Sequence, residues 1–137
     1  MAKTKYGQYV IQHPINYKGD WGAEVWFTGE DDYKSNFTEL FIRVTRDMVM
    51  EEYSHAHDFD MYVWVLPLDP DNLGDLGAEV EMDFGTELEK HIVTSTASFY
   101  VPKGLIHGPF IFRKVTKPIL FVHSMMAPKY YKTEVFK

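Results

Sequence analysis

Hydrophobic residues along this chain fall in many short runs, not in stripes of helical spacing. The runs are Tyr6 to Gln12, Ala23 to Thr28, Glu39 to Thr45, Met61 to Leu66, Glu79 to Phe84, His91 to Thr94, Ala97 to Val101, Phe110 to Val115 and Ile119 to His123. Each is rich in Val, Ile, Phe, Tyr or Trp, side chains that suit a pleated, half-buried surface. Turn-forming stretches such as Tyr17-Lys18-Gly19-Asp20, Asp69-Pro70-Asp71-Asn72-Leu73-Gly74 and Phe84-Gly85-Thr86 divide them. Thr45 to Glu52 lacks a helical stripe and is expected to run as strand toward Tyr53. Many short strands with regular turn signals predict an all-β sandwich or barrel. Gly-Ala-Glu-Val occurs at Gly22 and again at Gly77, but four residues recurring once do not make a repeat.

Composition narrows this picture in three ways. A length of 137 residues suits one domain. Within it, 1–35 is expected to form a strand arm packed on the barrel or on a neighbouring subunit, 36–126 the barrel core, and 127–137 a tail. A net charge of −6 argues against a nucleic-acid partner, which requires a basic face to neutralise phosphates; Lys114, Lys117, Lys129 and Lys132 read more simply as solvated surface. No run approaches membrane-spanning length and the first residues lack the apolar stretch of a secretory signal, so no membrane partner and a cytoplasmic location are expected. Finally, the chain has no Cys. Any metal must therefore be held by His, Asp, Glu or Met.

The chemistry concentrates in Ser54-His55-Ala56-His57-Asp58-Phe59-Asp60-Met61. On a strand, alternate side chains share a face, so His55 and His57 point the same way and can flank one ion. Without a bulge, Met61, Val63 and Val65 continue that face while Asp58, Asp60 and Tyr62 oppose it. A lone His-x-His is more often a polar strand face than a metal site. The balance changes at Phe99-Tyr100-Val101-Pro102-Lys103-Gly104-Leu105-Ile106-His107, where a Pro-x-Gly turn is followed by a third His opening the next strand.

These residues resemble the cupin family, whose first motif is His-x-His with a Glu a few residues on, and whose second is Pro-x-Gly-x-x-His. His55 and His57 match the first pair; Pro102, Gly104 and His107 match the second motif in full. The resemblance covers roughly residues 38–124. It implies a double-stranded β-helix, the jelly-roll barrel of two antiparallel sheets, with a divalent metal inside on His55, His57 and His107, and a homodimer. The departures are Met61 (or Tyr62) where the Glu belongs, and Val49, Leu68, Thr96 and Ile111 at positions that usually carry Gly or Asn.

Neutral imidazoles accept Fe, Zn, Mn, Ni or Cu without choosing among them. Met61 is expected to line the pocket as an apolar wall, its thioether being a weak, soft donor. Asp60, reached through a bulge, or Glu79 and Glu81 from the facing sheet are candidates to replace the carboxylate. For each, a solvated position is the simpler reading. His123 is a candidate pocket acid or base, against a plain core role. Tyr53 has the parity to face the pocket, and Phe99, Tyr100, Phe110 and Phe112 are candidates to line it. His13 and His91 read as structural or surface residues. The leading expectation is a metal-dependent enzyme of oxygenase, isomerase or lyase type acting on a small organic molecule. The alternatives are a non-catalytic small-molecule binding or sensor module, and a metal-free structural barrel.

Overall fold

The computed structural model describes residues 4–136, so the ends of the expected arm and tail, 1–3 and 137, lie outside it. Among the described residues the regular structure is strand, apart from one 3-10 turn at Gly7–Tyr9. Eleven strands follow: β1 (Glu24–Phe27), β2 (Thr38–Val44), β3 (Met48–Glu51), β4 (Ser54–Ala56), β5 (Met61–Pro67), β6 (Glu79–Phe84), β7 (Glu89–Val93), β8 (Ala97–Val101), β9 (His107–Arg113), β10 (Ile119–Met125) and β11 (Glu134–Phe136). All pairings are antiparallel. One sheet runs β1-β2-β10-β5-β8; the other runs β11-β4-β9-β6-β7, with β3 also paired to β9. This is the expected all-β barrel of two antiparallel sheets.

Alternation explains how the two sheets share one core. In β5, Met61, Val63, Val65 and Pro67 are buried while Tyr62 and Trp64 face outward. The neighbouring strands supply Leu40, Ile42 and Val44 from β2 and Ile119, Phe121 and Met125 from β10. From the facing sheet come Met48, Met50, Val80, Met82, Phe110 and Phe112. Register keeps these sets on one level: Phe121 lies opposite Ile42 and Val65, and Val80 opposite Phe112. Burying a large apolar side chain contributes roughly 1.5–3 kcal/mol, so a one-residue slip in β5 or β10 would expose the whole inward row.

Three expectations are corrected. Tyr6 to Gln12 is not a strand; it holds the 3-10 turn, and Tyr6, Tyr9 and Val10 are exposed. Its aromatics gave a strand-like composition, but no neighbouring strand pairs with it. Thr45 to Glu52 does not run on into Tyr53, because the chain breaks between β3 and β4. The strand that carries Phe110 opens at His107, as the Pro-x-Gly turn before it implied. The segment set aside as a tail supplies β11, which pairs with β4. No helix among the described residues is long and apolar enough to cross a membrane.

Candidate metal centre

Two local devices bring the three histidines together. First, β4 and β9 pair at a single point, His55 opposite His107. That approach requires Gly108: its φ is +102°, and a Cβ there would meet the Tyr53 carbonyl oxygen at 3.0 Å and His55 Nδ1 at 3.6 Å. Second, the Pro102-Lys103-Gly104 turn clasps the strand-end that carries His57. Gly104, at φ +83°, donates its N–H to the His57 carbonyl (2.9 Å), and Lys103 donates its N–H to Asp60 Oδ1 (2.8 Å). The ring centroids of His55, His57 and His107 are consequently 4.3–5.1 Å apart. One donor nitrogen from each lies within 4.8 Å of the others, and all three residues are buried.

Each imidazole is oriented by the backbone. His55 Nδ1 is 3.2 Å from the Tyr53 carbonyl, His57 Nδ1 2.6 Å from that of Tyr131, and His107 Nδ1 3.0 Å from that of Leu105. A carbonyl can only accept, so each Nδ1 carries the proton and each Nε2 keeps a lone pair. The Nε2 atoms of His57 and His107 are buried without a hydrogen-bond partner. A buried polar atom left unpaired costs about 1–3 kcal/mol. Burial, opposed by the carbonyl bonds, lowers the pKa of His55 to about 4 and of His107 to about 3, and that of His57 also falls. Mutual repulsion adds to the effect at His55 and His107. The rings are therefore neutral at ordinary pH, the state a metal requires of its ligands.

The remaining candidates divide sharply. Met61 and His123 are buried and line the same cavity as His55 and His107. His123 Nε2 contacts Met61 Sδ at 3.1 Å, so the thioether accepts from a neighbouring ring. The other four stand outside. Tyr53 is 42% exposed and contributes its carbonyl, not its ring, because the break after β3 overrides simple parity. Asp60 lies in the connection between β4 and β5, where it accepts from the Lys103 N–H and braces the Pro-x-Gly turn. Glu79 and Glu81 oppose Val80 and Met82 on β6 and so face out of the barrel. Glu79 pairs with Lys114 at 3.2 Å and Glu81, though buried, with Arg113 at 2.6 Å. Of the aromatic set, Phe110 lines the cavity, Phe99 and Phe112 fill the core, and Tyr100 stacks on Tyr62 outside. His91 pairs with Glu89 at the surface and His13 packs on Phe27.

Sequence reasoning missed a carboxylate. Glu51 lines the cavity beside Met50, two consecutive residues facing inward where alternation allows one. A register shift between Val49 and Glu51 on β3 is responsible, and no residue pattern announces it. Glu51 accepts from Tyr130 Oη at 3.3 Å and pairs with Lys132 at 2.9 Å. Its charge favours the protonated forms of His57 and His107, which places it within electrostatic reach of both. Burial and that carboxylate raise the pKa of Tyr130, which stays a donor. The Tyr130 ring packs 5.3 Å from His57, 5.7 Å from His123 and 6.4 Å from Trp26. Trp21 and Trp26 also line the cavity, so the N-terminal region helps wall the site.

No family model matches the chain, and no curated protein does either. Solved structures do. A structure of Bacillus subtilis oxalate decarboxylase, studied for its Mn(II) centres, matches at 13% identity and TM-score 0.53, covering 84% of this chain and 28% of that one. Recombinant oxalate oxidase in complex with glycolate matches at 12% identity and TM-score 0.56, covering 86% and 57%. Peruvianin-I, a cysteine peptidase from Thevetia peruviana latex, matches at 13% and TM-score 0.60, covering 95% and 78%. The chain spans less than a third of the length of the oxalate decarboxylase. At these identities the likeness shows the fold, the cupin barrel, and the differing activities of its bearers show that the barrel alone does not set the chemistry.

Proposed function

From a cupin barrel with three neutral imidazoles on its inner wall, we propose that this protein binds a divalent metal through His55, His57 and His107. We further propose that it is a metal-dependent enzyme acting on a small organic molecule held in the barrel, of oxygenase, isomerase or lyase type. The observation that carries this reading is the pair of buried Nε2 atoms on His57 and His107 that no protein group satisfies. Their Nδ1 atoms are already committed to carbonyls, so the lone pairs face one another across a space suited to a cation. The donor set, three imidazoles and no thiolate, fits Fe, Zn, Mn, Ni or Cu; the Mn(II) centres of the oxalate decarboxylase are one precedent for a metal in this fold.

A bound metal would supply Lewis acidity or a site for dioxygen. The protein's own residues would do the rest. Apolar walls exclude water from the ligand. Tyr130 and Lys132 hold the Glu51 carboxylate facing the cavity, where it can accept a proton from a bound molecule. His123, pushed down to about 3 by burial, stays neutral and positions Met61.

Binding without turnover is the second reading, favoured by Met61 standing where a carboxylate would add a fourth ligand to the three histidines. Turnover of a substrate that is lost on chelation and restored by metal supports the enzyme; saturable binding with no product supports the sensor. The proposal extends to a single-domain, cytoplasmic protein that pairs as a homodimer. The half-exposed Tyr62, Trp64 and Tyr100 on the outer face of the first sheet support an interface there.

A further inference from the structure

The cavity beside the histidines has a volume of about 140 Å³. That is close to the roughly 150 Å³ of an apolar cavity known to hold benzene. Its walls are apolar: Leu40, Val63, Phe110 and Phe121, together with the methionines Met50, Met61 and Met82. Thioethers and ring edges are good partners for an aromatic ring. The ionisable side chains that line it are Glu51, His55, His107, His123 and Tyr130. Two of these are committed, His123 to Met61 and Tyr130 to Glu51. Of the ionisable groups this leaves His55, His107 and the Glu51 carboxylate, which keeps acceptor capacity beside Tyr130 and Lys132; Trp21 and Trp26 complete the wall.

No Lys or Arg lines this space among the described residues. Lys132, the nearest cation that Glu51 engages, is paired to it at 2.9 Å. With no metal bound, a dicarboxylate such as oxalate would place one charge toward Glu51 or bury one among apolar walls without a partner. Either arrangement is unfavourable.

We infer that the ligand of this cavity is a small phenol-class molecule: an apolar ring of benzene size with one hydroxyl end. The hydroxyl faces the histidines and donates its proton to a hydrogen bond with Glu51, while the ring lies among Val63, Phe110 and Phe121. This assignment rests on the metal-site reading for the role of the histidine end, but the size and polarity of the cavity stand without it.

The test uses the full chain, metal-free for the comparison of phenol with oxalate, which would chelate a bound ion, and loaded with zinc for the variants, with toluene as the third probe and metal content measured in every sample. Phenol is expected to bind one per chain by calorimetry, at least tenfold more tightly than oxalate. Val63→Phe fills the cavity and is expected to abolish phenol binding while metal content is retained. Glu51→Gln is expected to weaken phenol about tenfold and leave toluene unchanged, which keeps the inference testable if Val63→Phe does not fold. Oxalate binding more tightly than phenol would overturn the assignment. So would phenol binding that survives Val63→Phe in a folded protein, or equal losses of phenol and toluene in Glu51→Gln. A wild type that holds no metal yet prefers phenol to oxalate would overturn the metal centre alone and support the cavity assignment.

Discussion

The backbone carbonyl of Tyr131 lies 2.6 Å from Nδ1 of His57, so a residue near the C-terminus decides which nitrogen of that imidazole faces its two partners. The segment is pinned next door, where Thr133 donates its N–H to the Ala56 carbonyl at 2.9 Å and β11 pairs with β4. Thr133→Pro removes that donor. Metal affinity is expected to fall about tenfold or more, the scale seen when the partner orienting a ligand is lost. Competition titration against a chelator measures it, and unchanged affinity would show that the tail does not hold His57.

Gly108 is the second fulcrum. An alanine there would bring Cβ to 3.0 Å from the Tyr53 carbonyl and adopt φ near +102°. Gly108→Ala is expected to cost about 1–3 kcal/mol of stability and to separate His107 from His55. Denaturant titration reads the first effect; metal stoichiometry reads the second. Loss of stability with full metal retention would mean that the pairing of β4 with β9 is not what sets the site.

Acid is expected to destabilise the metal-free protein. His55 has a folded pKa near 4 and His107 and His123 near 3, against 6.5 for the free side chain. Between those values the unfolded chain binds protons that the folded chain does not, so stability rises with pH in this window and falls as pH drops. The contribution is fully present above about pH 6.5 and is lost as pH falls toward 4 and then 3. His55 alone accounts for about 3 kcal/mol. Chemical denaturation at pH 7.5, 6, 5 and 4 follows the loss, with His55→Phe showing a flatter profile if burial of the neutral ring is the cause.

Met61 separates a wall from a ligand. Its sulfur already accepts from His123 at 3.1 Å, so Met61→Leu is expected to leave metal affinity unchanged at a stability cost under about 1.5 kcal/mol. Met61→Glu introduces a hard oxygen donor and is expected to shift preference toward Mn(II) and Fe(II). Metal loss in Met61→Leu would make the thioether a ligand; an unaltered preference in Met61→Glu would place the side chain beyond reach of the ion.

What the sequence made legible was whatever depends on alternation and turn chemistry. Alternation within β5 turns Met61, Val63 and Val65 inward, but His55 and His57 reach the same interior from the facing sheet, because the chain leaves β4 and changes sheets before β5. Pro102 and Gly104 place His107 at a strand start because only their backbone preferences form that turn. The expectations that failed rest on features alternation does not encode. Glu51 turns inward at a register shift, Tyr53 turns outward at a strand break, and Glu81 is buried on the outer face by Arg113. Tyr130, Tyr131 and Trp21 reach the site through long-range packing, which no local pattern near them signals.

The central claim is that His55, His57 and His107 hold one metal ion. Elemental analysis of the full chain, purified without an affinity tag and dialysed after metal loading, tests it most directly, run beside His57→Ala and His107→Ala variants whose folding is checked by circular dichroism. About one ion per wild-type chain, and less than a tenth of that in either folded variant, is the expected result. A folded wild type that retains no metal, or a folded His107→Ala that retains as much as wild type, would contradict it.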